Sequence, residues 1–167
     1  MAEEEVATQG AGASLEQIAR TAGVGSATVR RHFPTRRALL EAVSRKQIEA
    51  LAARAHALTG EQDSRKALLD WLTDVVAYCV TARGLAVALA YDSTESVYEN
   101  SCSATLEEAG EPLLNRAARD GAVAGDVTVA DLITLAVGVV LATEHHADPA
   151  ARADRLFRLA VAGLSPS

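Results

Sequence analysis

Five basic side chains, Arg30, Arg31, His32, Arg36 and Arg37, fall within eight residues of a 167-residue chain whose formal net charge is −6. Guanidinium groups grip phosphate oxygens in a fork and pair with the outer edge of guanine, so this chemistry points to a polyanion. The rest of the charge is placed to match. Residues 20–54 carry eight Arg/Lys and two Glu, a net of +6, while residues 1–19 carry −4 and residues 55–167 carry −8. A cationic module on an anionic body suits a phosphate-backbone binder joined to a separate sensing or pairing domain. A charge run alone also fits a solvated helix face, so the elements that hold it must decide.

Those elements read as two short helices around a glycine-centred break, in the stretch IARTAGVGSATVRRHFPTRRALL (residues 18–40). Ser14 with Gln17 fits a capping box, and Leu15, Ile18, Ala19 and Ala22 form one apolar face. Gly23 stops that helix, because glycine takes the left-handed conformation cheaply. Ser26 caps a second short helix to about His32, which Pro34 closes. This is a helix-turn-helix. Ile18 and Ala19 can pack on Val29, and the short side chains of Ser26, Ala27 and Thr28 let the second helix approach base edges in a major groove. Arg30, Arg31 and His32 reach phosphates or guanine edges. Arg36 and Arg37 open the next helix, where backbone N–H groups also face phosphate. Cations there oppose the helix dipole, so their presence argues for a role other than stability.

The segment SLEQIARTAGVGSATVRRHFPTRRALLEAV resembles the DNA-binding module of the TetR (tetracycline-repressor) family of transcriptional regulators. The resemblance covers about residues 2–51. It is carried by the Ile18–Ala19 pair, the Ala22–Gly23–Val24 turn, Thr28, the His32–Phe33–Pro34 ending and the following Arg-x-Ala-Leu-Leu. It implies a recognition helix over residues 26–32, backbone contacts from His32 and Arg36, and Phe33 as a core anchor. Arg30 stands where the family usually has tyrosine, which keeps a phosphate or base contact and loses ring packing. The family's first helix is longer and begins with basic residues, whereas this sequence has AEEEVATQG. That difference predicts weaker DNA binding than is usual for the family. It also defines an alternative: a TetR-like helical homodimer that binds a small ligand but has lost effective DNA binding.

The remainder reads as all-α, with no run of alternating β-branched residues. The organisation expected is a helix-turn-helix domain over residues 1–51 and a helical regulatory and dimerisation domain over residues 52–167. A long helix from about Arg36 to Leu58 joins them, with a mixed stripe of Leu39, Leu40, Val43, Gln47, Ala50, Leu51 and Arg54. Residues 59–64, TGEQDS, break the chain. The next helix, about Arg65 to Arg83, is apolar over much of its circumference and is expected to be surrounded by neighbours. A helix from about Glu95 to Asp120 is expected to kink near Gly110–Pro112. Thr128 and Asp131 form a capping box that opens an apolar helix to about His146, and Asp148–Pro149 starts the last one.

Within this body, Trp71, Tyr78, Cys79, Tyr91, Tyr98 and Cys102 are candidates to line a cavity for a modest apolar ligand, with plain core packing as the rival reading. Leu135, Val139, Leu156, Phe157 and Ala160 are the candidate homodimer contacts. The resemblance implies the same arrangement, an effector pocket in the bundle and a dimer made by the last two helices. A two-fold dimer would present two recognition helices to operator DNA about 34–36 Å apart. The resemblance further implies that ligand binding shifts the Arg36–Leu58 helix, changes that spacing and releases DNA.

Other chemistries find little support. No glycine-rich phosphate loop, serine nucleophile elbow or HExxH motif is present, so an enzyme is not expected. His145 and His146 point about 100° apart on a helix and suit a helix end better than a metal ion; neither metal nor cofactor is expected. Cys79 and Cys102 lie on apolar faces and are expected as buried thiols. The start has no apolar leader, and the longest apolar run, residues 135–142, is too short to span a bilayer. A cytoplasmic regulator, in the repressor mould, is the resulting expectation, with effector and operator left open.

Overall fold

In the computed structural model the described residues are 27, 31–32, 36–82 and 102–162, and for residues 36–41 and 43 this extends to the backbone alone. They form five long helices: α1 (Arg36–Leu58), α2 (Ser64–Thr81), α3 (Cys102–Arg119), α4 (Val129–Thr143) and α5 (Pro149–Ala162). Ala27, Arg31 and His32 are also helical. No strand occurs among the described residues, so the architecture is all-α.

Local rules set most helix starts. Asp63 caps α2 by accepting from the Lys66 amide at 2.8 Å. Thr128 and Asp131 make a reciprocal capping box on α4: the Asp131 amide donates to Thr128 Oγ1 at 3.1 Å, and the Thr128 amide donates back to Asp131 Oδ2 at 3.0 Å. Asp148 accepts from the Ala151 amide at 3.0 Å and Pro149 fills the first helical position of α5. α4 stops at Thr143, three residues short of the expected His146. There the buried Thr143 hydroxyl donates back to the Val139 carbonyl at 2.8 Å, and the His146 amide turns in to Thr143 O.

α2 is the centre of the bundle and packs on all four other helices. Its buried residues include Ala67, Leu68, Trp71, Leu72, Val75, Val76 and Cys79, which realises the expectation of a surrounded helix. α1 packs most extensively on α3. Their directions follow from three contacts. Trp71 Nε1 donates to the Leu51 carbonyl at 3.1 Å, and the Trp71 ring lies against Gly110. Arg116, near the end of α3, reaches the Thr59 carbonyl just past the end of α1. α1 and α3 therefore run parallel, with α2 antiparallel to both.

One expectation changes. The buried stripe of α1 is Ser44, Ile48, Leu51, Ala55 and Leu58, while Gln47, Ala50 and Arg54 are exposed. The many alanines of α1 allow several stripes of similar hydrophobicity, and contact with α2 and α3 selects one. α3 runs as one helix through Pro112, which sits on the exposed side. Packing at Gly110 is close: a Cβ there would lie 2.6 Å from the Trp71 ring and 2.8 Å from Val129 Cγ1.

Candidate nucleic-acid interface and sensing bundle

Of the expected DNA contacts, Ala27, Arg31 and His32 are helical and exposed, which leaves them open to a partner. Arg36 and Arg37 form the first turn of α1, as the sequence indicated. Ser26, Thr28 and Arg30 lie outside the described residues. Further along the outer side of α1, Arg45 and Lys46 are exposed as well. The cationic stretch is thus continuous with the N-terminal half of the helix that enters the bundle.

The candidate ligand residues divide by depth. Trp71 is 0% exposed and its indole N–H is already satisfied by Leu51, so it is a core residue in this state. Cys79 and Cys102 are free thiols, both buried. Burial pushes the Cys79 thiol up to about 12, because a thiolate there would lose its hydration. Tyr78 is half-buried on α2. Because α2 and α3 are antiparallel, Tyr78 and Cys79 near the end of α2 lie at the same end of the bundle as Cys102 at the start of α3. Tyr91 and Tyr98 lie outside the described residues, in the connection between those two ends. A separate groove of about 340 Å³ opens between α2 and α5, with Val76, Val80 and Phe157 among its apolar walls. Trp71, Tyr78, Cys79 and Cys102 do not line it.

The expected dimer residues also divide. Leu135 and Val139 on α4, and Leu156 and Ala160 on α5, are half-buried at the edge of the core. Phe157 is 1% exposed and fills the core of its own chain, so it is not presented outward. Its partners in the buried stripe of α5 are Ala153 and Val161, four residues to either side. Leu159, which the sequence reading passed over, is 60% exposed and is the one exposed large hydrophobic residue among those described. Its signal was present as a leucine off the main apolar stripe. On α4, Gly138 is exposed with open space around it.

Two arginines escaped sequence reading altogether. Arg116 donates from Nη1 to Thr59 O at 2.6 Å and from Nη2 to the carbonyls of Glu61 and Gln62, the latter at 3.0 Å. Arg65 donates to Ala122 O at 2.6 Å and to Val161 O at 3.1 Å. Both close the end of the bundle opposite the cationic module. His145 and His146 are exposed past the end of α4, and no cluster of metal-ligating side chains occurs among the described residues. No described helix is long and apolar enough to cross a membrane.

Two family profiles match the chain. "Bacterial regulatory proteins, tetR family" matches residues 1–43, and "Transcriptional regulator SbtR-like, C-terminal domain" matches residues 63–166. No curated protein matches the sequence. Among solved structures, the TetR transcriptional regulator SCO0520 from Streptomyces coelicolor is 30% identical with a TM-score of 0.61, over 99% of each chain. A TetR transcription regulatory protein from Mycobacterium vanbaalenii is also 30% identical, with a TM-score of 0.54 over 99% of this chain and 90% of that one. The fold alone is shared with the regulator FadR from Bacillus subtilis, solved in complex with stearoyl-CoA, at 16% identity and a TM-score of 0.58 over 97% of this chain and 95% of that one. With both profiles in the family's order and relatives aligned end to end, the chain belongs to the TetR family of bacterial transcriptional regulators.

Proposed function

We propose that the protein is a ligand-responsive repressor that binds operator DNA as a homodimer. The observation that carries this reading is the pair of exposed helical residues Arg31 and His32, four residues ahead of the Arg36–Arg37 start of α1, inside the segment that matches the tetR-family profile. Ser26, Ala27 and Thr28 are assigned to the approach to base edges, Arg30, Arg31 and His32 to phosphates or guanine edges, and Arg36 and Arg37 to phosphate. The pairing face is assigned to α4 and α5, through Leu135, Val139, Leu156, Ala160 and the exposed Leu159. Its half-buried apolar residues lose their remaining water on association.

The effector site is assigned to the end of the bundle shared by Tyr78, Cys79 and Cys102, with Tyr91 and Tyr98 supplied by the connecting segment. Trp71 lies about two turns further in, at roughly 1.5 Å of rise per residue. It senses occupancy through packing rather than by touching the ligand. Effector binding moves α1 and so alters the spacing of the two recognition helices.

Selection of bound duplexes from random DNA by the purified chain tests the reading. The expected product is a two-fold symmetric site with half-sites one helical turn apart, bound with an affinity that falls steeply as salt rises. A chain that selects no duplex at low ionic strength overturns it.

A further inference from the structure

α2 and α5 are packed together, with Val76 and Phe157 buried on their facing sides. The positions beside them are alanines, Ala77 on α2 and Ala150 and Ala151 on α5, and all three are exposed. Short side chains on both helices leave a trench along the seam, and its volume is about 340 Å³. Clefts that bury small molecules start at roughly 300 Å³. Val76, Val80 and Phe157 make the lining apolar, and Thr73 and Asp154 are the two polar side chains among its eight lining residues.

Those two side chains offer acceptors and no donor. The Thr73 hydroxyl spends its proton on the Leu69 carbonyl at 2.8 Å. Asp154 is oriented by Arg158, whose Nε donates to Oδ1 at 2.9 Å and whose Nη2 donates to Oδ2 at 2.7 Å. A carboxylate has about four lone-pair sites, so this fork leaves capacity on both oxygens. Arg158 is not part of the wall, its side chain is 70% exposed, and an ion pair that open is weak. The ionised group facing the groove is therefore a carboxylate with a fixed orientation and sites to spare. A cation complements it, and an anion would meet like charge. A second copy of the chain is not the occupant. At about 100° per residue, Ala151 and Asp154 lie on the flank of α5 opposite Leu156 and Ala160, so pairing through the latter leaves the groove open.

We propose that the groove binds a small organic monocation, with its apolar body against Val76, Val80 and Phe157 and its ammonium group on Asp154. The site is separate from the effector site assigned to the Tyr78, Cys79 and Cys102 end of the bundle, and it does not depend on DNA binding.

Octylammonium, octanol and octanoate share one chain and differ in the head group. Each is titrated into the purified chain carrying isotope-labelled valine methyls. Octylammonium should move the Val76 and Val80 signals saturably and leave those of Val129 and Val140 on α4 in place. Octanol should bind about fivefold more weakly, the size expected of a partly exposed ion pair, and octanoate more weakly still. Asp154→Asn keeps the shape of the wall and should bring octylammonium down to the octanol level while leaving octanol unchanged. Ala77→Phe fills the groove from an exposed position and should abolish binding. Where that chain does not retain its helical circular dichroism, Ala151→Phe fills the groove from the other wall. The cation is overturned if octanol binds as tightly as octylammonium, or if Asp154→Asn binds octylammonium as the parent chain does. The site itself is overturned if Val76 and Val80 do not move, if Val129 and Val140 move equally with them, or if a folded groove-filling variant binds unchanged.

Discussion

The six-membered ring of Trp71 and the Cα of Gly110 interlock: a Cβ added at Gly110 would stand 2.6 Å from the ring atoms Cη2 and Cζ3. The indole cannot retreat without breaking its bond to Leu51 O. One glycine thus lets α3 approach α2 closely enough for a buried tryptophan to serve three helices.

Gly110→Ala should therefore destabilise the fold. Alanine is the better helix former by about 1 kcal/mol, but the overpacking it causes typically costs about 1–3 kcal/mol and removes that advantage. Urea unfolding should show a lower midpoint. A midpoint at or above that of the parent chain would mean that the ring can move aside.

Arg65→Met should loosen the end of the bundle far from the cationic module. It removes charge-assisted bonds to Ala122 O and Val161 O, and bonds of that kind contribute roughly 1.5–3 kcal/mol. Hydrogen exchange should quicken in the last turn of α5 more than in α1. Uniform acceleration across all helices would contradict the local role given to Arg65.

Cys79 sets a pH dependence with a definite sign. Its thiol is raised from 9.0 to about 12 by burial, so the folded state holds the proton more tightly than the unfolded chain does. The stabilisation is complete below about 9 and is lost as pH rises from there toward 12. The unfolding midpoint should fall across that window less steeply in Cys79→Ala than in the parent chain. Thiol reagents at neutral pH should leave Cys79 unmodified until the chain is unfolded.

Thr128→Ala removes the cap of α4, and loss of such a cap costs about 1 kcal/mol. The hydrogen bonds from Thr128 also hold the Asp131 carboxyl below its ordinary value of 3.8. Their contribution is present above that value and is lost as pH falls through the lower folded one. The gap between the parent and Thr128→Ala chains should accordingly narrow at low pH without closing, because the Asp131 amide bond to Thr128 Oγ1 does not titrate. A constant gap between them would show that the carboxylate takes no part in the cap.

Arg31→Ala should weaken DNA binding about equally across sequences and lower the salt slope by about one, if Arg31 meets phosphate. A change in the selected sequence at one position, with the slope intact, would reassign Arg31 to a base edge.

What was legible in the sequence was what local rules govern. The bounds of α1, the Thr128–Asp131 box and the Asp148–Pro149 start each depend on a few adjacent residues, and the structure has them where the sequence placed them. The N-terminal module reads locally in the same way, and the tetR-family profile matches over residues 1–43. The misplaced features depend on partners distant in sequence. Gly110 reads locally only as a poor helix former, and the arrival of Trp71 shows what the glycine is for. The stripe of α1 was misjudged because its alanines are nearly neutral between faces. Phe157 and Leu156 are adjacent on one helix, yet one is sealed in the core and the other half-buried; a narrow rotation separates them, and sequence periodicity does not resolve it. The grips of Arg116 and Arg65 left no signature, since any exposed arginine looks alike until a carbonyl arrives from more than fifty positions away.

The turn between α3 and α4 has a practical consequence. Gly125 and Asp126 are exposed, no atom crowds Gly125, and Arg65 ties down the strand of chain just before them at Ala122. A reporter dye or surface tether spliced in at this tip would hang from the pole of the molecule remote from Arg36. An immobilised chain built that way would keep its Arg36 end free to the solution.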